Sequence, residues 1–313
     1  MGGTGMSQAT RPENRATELP TPDTTNRPAD SRLSTGRKAG ATRWDYVLLQ
    51  GLRYVAIVLI TIIFLLPFLW MTLSSFKTQI DITTSKNVFQ FTPTTENYQN
   101  VFGQYNYLLY LVNSLVVAVG STFLSLVLGL PAAYAIARYR VGWLGVVLLT
   151  ARIVPGITFL IPWYIIFSRI GIIGSYWALI LSHMLVGLPF IAWIMISFFE
   201  SLPVDLEEAA RVDGATAFGA FFRISLPLAV PGIITASIMS FIFSWNNFMF
   251  SLVLSGDNTK TLPIAIFNFI SYSSVDWGGL MAAAVVITLP VLLLTLMVQR
   301  YVVAGLTSGA TKG

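Results

Sequence analysis

Side chains able to do acid–base or ionic chemistry are sparse in this sequence, and five of its fourteen acids gather in one short island. Glu200, Asp205, Glu207, Glu208 and Asp213 lie there with Arg211 and Arg223, in and just before "EEAARVDGATAFGAFFRISLPLAVPG" (207–232), between two long apolar runs. A catalytic centre would need acids or histidines converging on a reacting group. This island instead reads as helix punctuation, a pattern that suits docking better than proton transfer. Elsewhere the polar candidates stand alone. Arg152 and the single histidine, His183, fall inside apolar runs, as does the triplet Trp245-Asn246-Asn247. An intramembrane charge is a functional candidate, and paired amides at that depth need a cavity or a neighbouring helix. Aromatic faces and amide hydrogen bonds also line ligand pores. The triplet and Arg152 are therefore substrate-path candidates, with interhelical bonding the equal alternative; His183 reads as structural rather than as a proton relay. No cysteine is present, which excludes disulfides and cysteine-ligated metal, and no metal site is expected.

The elements that must position these residues are membrane helices. Of 313 residues, 55% are hydrophobic and 11% charged, whereas soluble domains carry about 25% charged residues. Mean hydropathy is +0.70. A bilayer core needs about 20 apolar helical residues, and six segments qualify, at about 52–73, 108–137, 143–167, 176–199, 229–254 and 280–303. Each contains proline, which bends but does not forbid membrane helices. The expected class is an all-α integral membrane protein. Residues 1–50 form a separate cytoplasmic extension, rich in Thr, Pro, Arg and Asp for most of its length, with the composition of a disordered segment. The transmembrane domain is 51–313. Eight of the 19 basic residues precede Tyr54, so the formal charge of +5 marks no nucleic-acid face. With both termini inside, fourteen basic residues face the cytoplasm and four (Lys77, Lys86, Arg169, Lys260) the other side, the bias expected of a cytoplasmic face. The island is then cytoplasmic. Tyr272 and Trp277, and "TPTTENYQNVF" in the first long outside connection, are possible contacts for an external partner.

Within the island, Asp205, Glu207 and Glu208 complement the positive end of a short helix. Glu207 and Arg211 are spaced for an exposed ion pair, and Gly214 suits a left-handed stop. Phe218, Phe221 and Phe222 form an apolar stripe on a second helix, which Pro227 ends. The island's net negative charge disfavours an anionic lipid surface, so a protein partner fits better.

The spacing Glu208-Ala209-Ala210, three residues, Gly214, nine residues, Ile224-x-Leu226-Pro227 resembles the EAA loop of bacterial ABC importer permeases. The resemblance implies the type I importer fold: six spans, with the loop at about 200–228 serving as a coupling helix in a groove of a separate ATPase. Its contact set would be Glu207, Glu208, Ala209, Ala210, Arg211, Asp213, Gly214, Ala215, Ile224, Leu226 and Pro227. Glu208 would make an ionic contact, Gly214 would set the bend, and the alanines would permit close approach. Phe218 and Phe222 would pack against the chain's own bundle. The sequence holds no G-x-x-x-x-G-K-[ST] phosphate loop, so ATP and Mg belong on the partner. No cofactor is expected on this chain, and it is not expected to be an enzyme. "ENYQNVF", "VPGITFLIPWYIIF", "FSWNNFMFSLVL" and the terminal "QRYVVAGLTSGATKG" resemble the six-span permease of the maltose-type carbohydrate subfamily. That resemblance implies a homologous second permease, two ATPase subunits, an extracytoplasmic binding protein, and an oligo- or disaccharide substrate. It places the chain in the bacterial cell membrane, with its last residues, 305–313, along the ATPase. A permease for another solute, such as glycerol phosphate, is the alternative reading; a polytopic membrane enzyme or an ion-driven transporter fits less well.

Overall fold

The computed structural model describes residues 43–84, 89–272 and 274–310, with side chains omitted for 43–45 and 298–310. Two compact units divide the chain, residues 1–60 and 61–313, and the candidate loop belongs to the second. Helix α1 runs Arg43–Ser74. It therefore takes up the last eight residues of the expected extension, whose remainder lies outside the described residues, as do 311–313 of the C-terminal segment. Short helices α2 (Gln79–Thr83) and α3 (Glu96–Gly103) follow, then α4 (Tyr107–Tyr139). Next come α5 (Gly142–Ile153), α6 (Leu160–Arg169) and α7 (Tyr176–Ser201). The island folds as α8 (Asp205–Val212) and α9 (Ala217–Leu228). Last are α10 (Val230–Trp245), α11 (Met249–Leu254), α12 (Leu262–Ala265) and α13 (Trp277–Ala310). Among the described residues the β structure amounts to two isolated bridges.

Four helices, α1, α4, α7 and α13, are each long and apolar enough to cross a bilayer unaided. The other two expected spans are broken. The segment expected as one helix over 143–167 bends by 91° between α5 and Gly156. Proline bars the preceding residue from helical backbone, and Val154 accordingly sits extended before Pro155 (φ −69°, ψ 121°). The fifth span, expected over 229–254, is interrupted between Trp245 and Met249, where the Asn247 side chain accepts the Phe250 N–H at 3.1 Å and starts α11.

Helices α4, α7 and α10 form the core. Their contact is made of small residues, which let backbones approach in the absence of a hydrophobic driving force between helices. Ser114, Ala118, Ser121, Ser125 and Gly129 line the buried face of α4. A Cβ on Gly187 of α7 would stand 2.8 Å from Ser240 Oγ and 2.9 Å from Ser125 Oγ, so glycine is what permits the three-helix closure. Ser125 Oγ donates to the Ser121 carbonyl at 2.7 Å, keeping its polarity inside its own helix. At one end of the bundle, buried Asn113 of α4 donates to the Asn258 and Lys260 carbonyls (3.0 and 2.8 Å). It accepts from Tyr176 Oη (2.6 Å), tying the 255–260 loop to α4 and α7. The stretch "ENYQNVF" is helix α3, whose Asn97 donates to the Ser75 and Lys77 carbonyls, both at 2.8 Å.

Candidate functional site

The island is a bent pair of helices. Helix α8 ends in a closed turn: the Ala215 N–H reaches the Ala210 carbonyl at 2.9 Å and the Gly214 N–H reaches the Arg211 carbonyl at 3.0 Å. This double bond pattern demands left-handed backbone between them, and Gly214 supplies it at φ +90°. Thr216 then caps α9, accepting the Gly219 N–H at 3.1 Å. Inside α9 the backbone widens to a π turn over Phe221–Ser225, with the Leu226 N–H bonded to the Phe221 carbonyl. Pro227 follows at once. It does not end the helix as expected, because the wider turn displaces the carbonyl its ring would strike and no N–H is required of it. The helix breaks at Ala229, turning 76° into α10.

Glu207 does not pair with Arg211. It is 4% exposed and faces the bundle. Arg138 of α4 approaches its Oε1 from Nη2 at 2.7 Å and from Nε at 2.8 Å. Ser225 Oγ donates to the same oxygen at 2.7 Å, and Tyr134 Oη donates to Oε2 at 2.8 Å. Burial raises the Glu207 pKa. Hydrogen bonds from Arg138, Ser225 and Tyr134, with the Arg138 charge, outweigh burial and hold the carboxyl below its usual range. The exposed i, i+4 geometry on which the expected pair rested is real. It lost to a buried site offering four donor contacts.

The phenylalanine stripe divides the opposite way to the expectation. Phe221 is buried against Tyr134 (4.7 Å between centroids) and Phe199 (6.2 Å). Phe218 and Phe222 are 72% and 52% exposed, 5.6 Å apart. They do not pack the loop on its own bundle. With Glu208, Ala209, Arg211, Asp213, Gly214 and Pro227 they make up the outward surface of the loop. Ala210, Ala215, Ile224 and Leu226 are half-buried, and Leu226 packs into the cluster around Phe199 and Phe221. The inward role of Glu207 left no mark in local spacing, since its partner lies 69 residues away.

The substrate-path candidates are not brought together. Trp245 is buried at the end of α10, where the expected fifth span is interrupted; its Nε1–H donates to the Ile287 carbonyl of α13 at 3.1 Å and its ring stacks on Phe241. Asn246 donates back to the Ile242 carbonyl at 2.9 Å. Asn247, as above, caps α11. All three have local structural partners. Arg152 ends α5 just before the 91° break, its guanidinium 4.9 Å from the Phe190 ring centre and 4.8 Å from that of Trp193. It lines a cavity of about 310 Å³ with Pro155, Gly156, Phe159, Phe190 and Phe243. His183 is buried, its Nδ1 2.7 Å from Ser244 Oγ, which also receives Ser121 Oγ at 3.0 Å. Tyr272 is fully exposed and Trp277 partly so. Among the described residues no group of three metal-ligating side chains occurs.

This helical bundle with a bent, projecting loop has the fold of an ABC importer permease. A solved bacterial ABC transporter that imports the acidic polysaccharide alginate superposes with a TM-score of 0.70 at 19% identity, over 83% of this chain and 98% of that one. Residues 125–308, which include the whole loop, match the family described as binding-protein-dependent transport system inner membrane component, and the chain belongs to that family. It is 37% identical over 255 residues to the trehalose transport system permease protein of Mycobacterium tuberculosis, covering 80% of this chain and 93% of that protein. It is 35% identical over 269 residues to the sulfoquinovosyl glycerol transport system permease protein of Agrobacterium fabrum, covering 84% and 94%. The chain is thus a multi-pass membrane permease subunit of an ABC importer, a non-catalytic component served by a separate ATPase.

Proposed function

We propose that this permease carries carbohydrate of the oligo- or disaccharide class, received from an extracytoplasmic binding protein, and that the 203–228 loop is its docking element for the ATPase. The observation that carries the docking reading is the division of the loop into two faces. Glu207, Phe221 and Ser225 are locked inward, while Glu208, Gly214, Phe218 and Phe222 are exposed. Large rings left in water beside a fixed charge are what a protein groove accepts. A homologous second permease completes the path and two ATPase subunits drive it. ATP and Mg sit on those subunits and no cofactor sits on this chain. Both termini and the loop face the cytoplasm, following the distribution of Lys and Arg. Names of relatives support the sugar class, and Arg152 beside the aromatic-lined cavity is the residue of this chain best suited to line the route. Trp245, Asn246 and Asn247 stand second, since their polar groups already have partners within the chain.

The test is reconstitution of the complete importer in vesicles with Glu208→Lys, followed by ATP-driven uptake of a panel of labelled disaccharides and glycerol phosphate. Loss of uptake with the permease still in the membrane and the ATPase no longer co-purifying supports the reading. Undiminished uptake refutes the docking role, and uptake of glycerol phosphate alone refutes the sugar class.

A further inference from the structure

The peptide joints that lead into and out of the loop are both bent. Leu202 leaves α7 in extended backbone (φ −77°, ψ 134°), and Ala229 marks the 76° turn into α10. A loop held by these two points alone is free to swing about the line joining them, because a few terminal residues can absorb a large rotation. A third attachment lies off that line, on α4. Glu207 enters it from α8, Ser225 and Phe221 from α9, and Arg138 and Tyr134 from α4, so both halves of the loop are gripped. Arg138 also donates to the Leu202 carbonyl at 3.4 Å, which places its guanidinium across the first joint itself. Tyr134 meets Phe199 of α7 at 5.6 Å, edge to face.

We infer that the Arg138–Glu207–Tyr134–Ser225 cluster is the rigid joint that passes nucleotide-driven displacement of the loop to α4, so that loop and α4 move as one body. The inference rests on the docking reading and adds a path for the motion. The chemistry is chosen for direction rather than strength. Apolar packing of equal volume would stabilise as well or better, but it resists sliding weakly. Charge-assisted hydrogen bonds hold one geometry, and here three donor contacts converge on one carboxylate oxygen and a fourth meets the other. Helix α4 packs along α7 and α10 through the serine and glycine contacts described above, so whatever turns α4 turns the core of the bundle.

The chain has no cysteine, which makes paired spin labels clean. Tyr139→Cys, at the end of α4, and Val212→Cys, at the end of α8, are both exposed positions. The distance between labels is read in the assembled importer with ADP and then with ATP and Mg, in otherwise native protein and with Glu207→Gln. The expected native result is one narrow distance unchanged by nucleotide. With Glu207→Gln the distance broadens and shifts with nucleotide, while ATP turnover continues and uptake per ATP falls about tenfold, within the range of coupling between sites. If Glu207→Gln does not assemble, Tyr134→Phe with Ser225→Ala keeps the ion pair and should show the same change in smaller measure. A native distance that changes with nucleotide overturns the inference. So does a variant in which distance and uptake per ATP match the native importer, or in which assembly, turnover and uptake fall in one proportion. Failure of the docking reading looks different: the ATPase neither co-purifies with the native chain nor cross-links to Val212→Cys.

Discussion

Gly214 offers the most exacting perturbation, because its cost is separable from packing. Its φ of +90° is the left-handed region, and a Cβ built there meets nothing within 4 Å in this chain. Substitution by alanine therefore adds backbone strain and no intramolecular clash. An L-residue in left-handed backbone costs about 1–2 kcal/mol, roughly 5–30-fold in the population of the correctly bent loop. Relaxing that strain breaks the Ala215-to-Ala210 and Gly214-to-Arg211 hydrogen bonds that close α8. Asparagine tolerates this backbone better than alanine, and a β-branched residue worst of all. The expected order of ATP-driven uptake in reconstituted vesicles is Gly, then Asn, then Ala, then Val, with ATPase co-purification following the same order. The order turns on backbone preference, since Asn and Val are similar in size. Alanine retaining more uptake than asparagine would refute the argument and assign Gly214 to steric fit in the partner groove.

Arg138→Met leaves Glu207 buried without its cation, a loss of about 3–5 kcal/mol for a broken buried pair. Because the folded pKa of Glu207 lies below the usual range, its native contribution is complete above the unfolded carboxylate value of about 4.3 and disappears as pH falls through the folded value. The stability gap between native and Arg138→Met protein should therefore narrow on acidification, which thermal unfolding across pH would measure; a constant gap contradicts it. Phe218→Ser with Phe222→Ser should leave the melting of the isolated permease nearly unchanged, as both rings are exposed, and should abolish ATPase co-purification. Gly187→Leu should force α4, α7 and α10 apart, since even a Cβ there stands 2.8 Å from Ser240 Oγ; overpacking of this kind costs about 1–3 kcal/mol, visible as a lowered melting temperature in detergent.

The parts of this molecule legible from sequence are those governed by short range or by bulk composition. Four of the six expected stretches fold as single helices long and apolar enough to span, because bilayer thickness sets a length. The left-handed stop at Gly214 is read correctly because glycine's backbone freedom is local. What failed was partner choice. Glu207 has a plausible mate four residues on and takes one from α4 instead. The periodicity that placed Phe218, Phe221 and Phe222 on a common stripe did not say which edge of it faces inward, and the π turn shifts the register of Ser225 and Leu226. Proline marked the break at Pro155, yet the same residue type passes inside α4, α7, α9 and α13. Whether a neighbouring helix accepts the freed carbonyl is a tertiary matter. Trp245, Asn246 and Asn247 looked available for ligand because their partners, the Ile287 carbonyl and the Phe250 N–H among them, are backbone groups with no signature in sequence.

The burial of the Arg138–Glu207 pair has a consequence for how the subunit responds to ionic strength. Dissolved ions screen exposed charges over about 8 Å at physiological concentration and reach enclosed ones poorly. The pair's side chains are 8% and 5% exposed, whereas Glu208, the very next residue, and Asp213 at the end of α8 stand in solvent. Two electrostatic regimes thus sit side by side within one turn of helix. Raising salt should loosen the subunit from a charged neighbour while leaving the shape it presents to that neighbour intact.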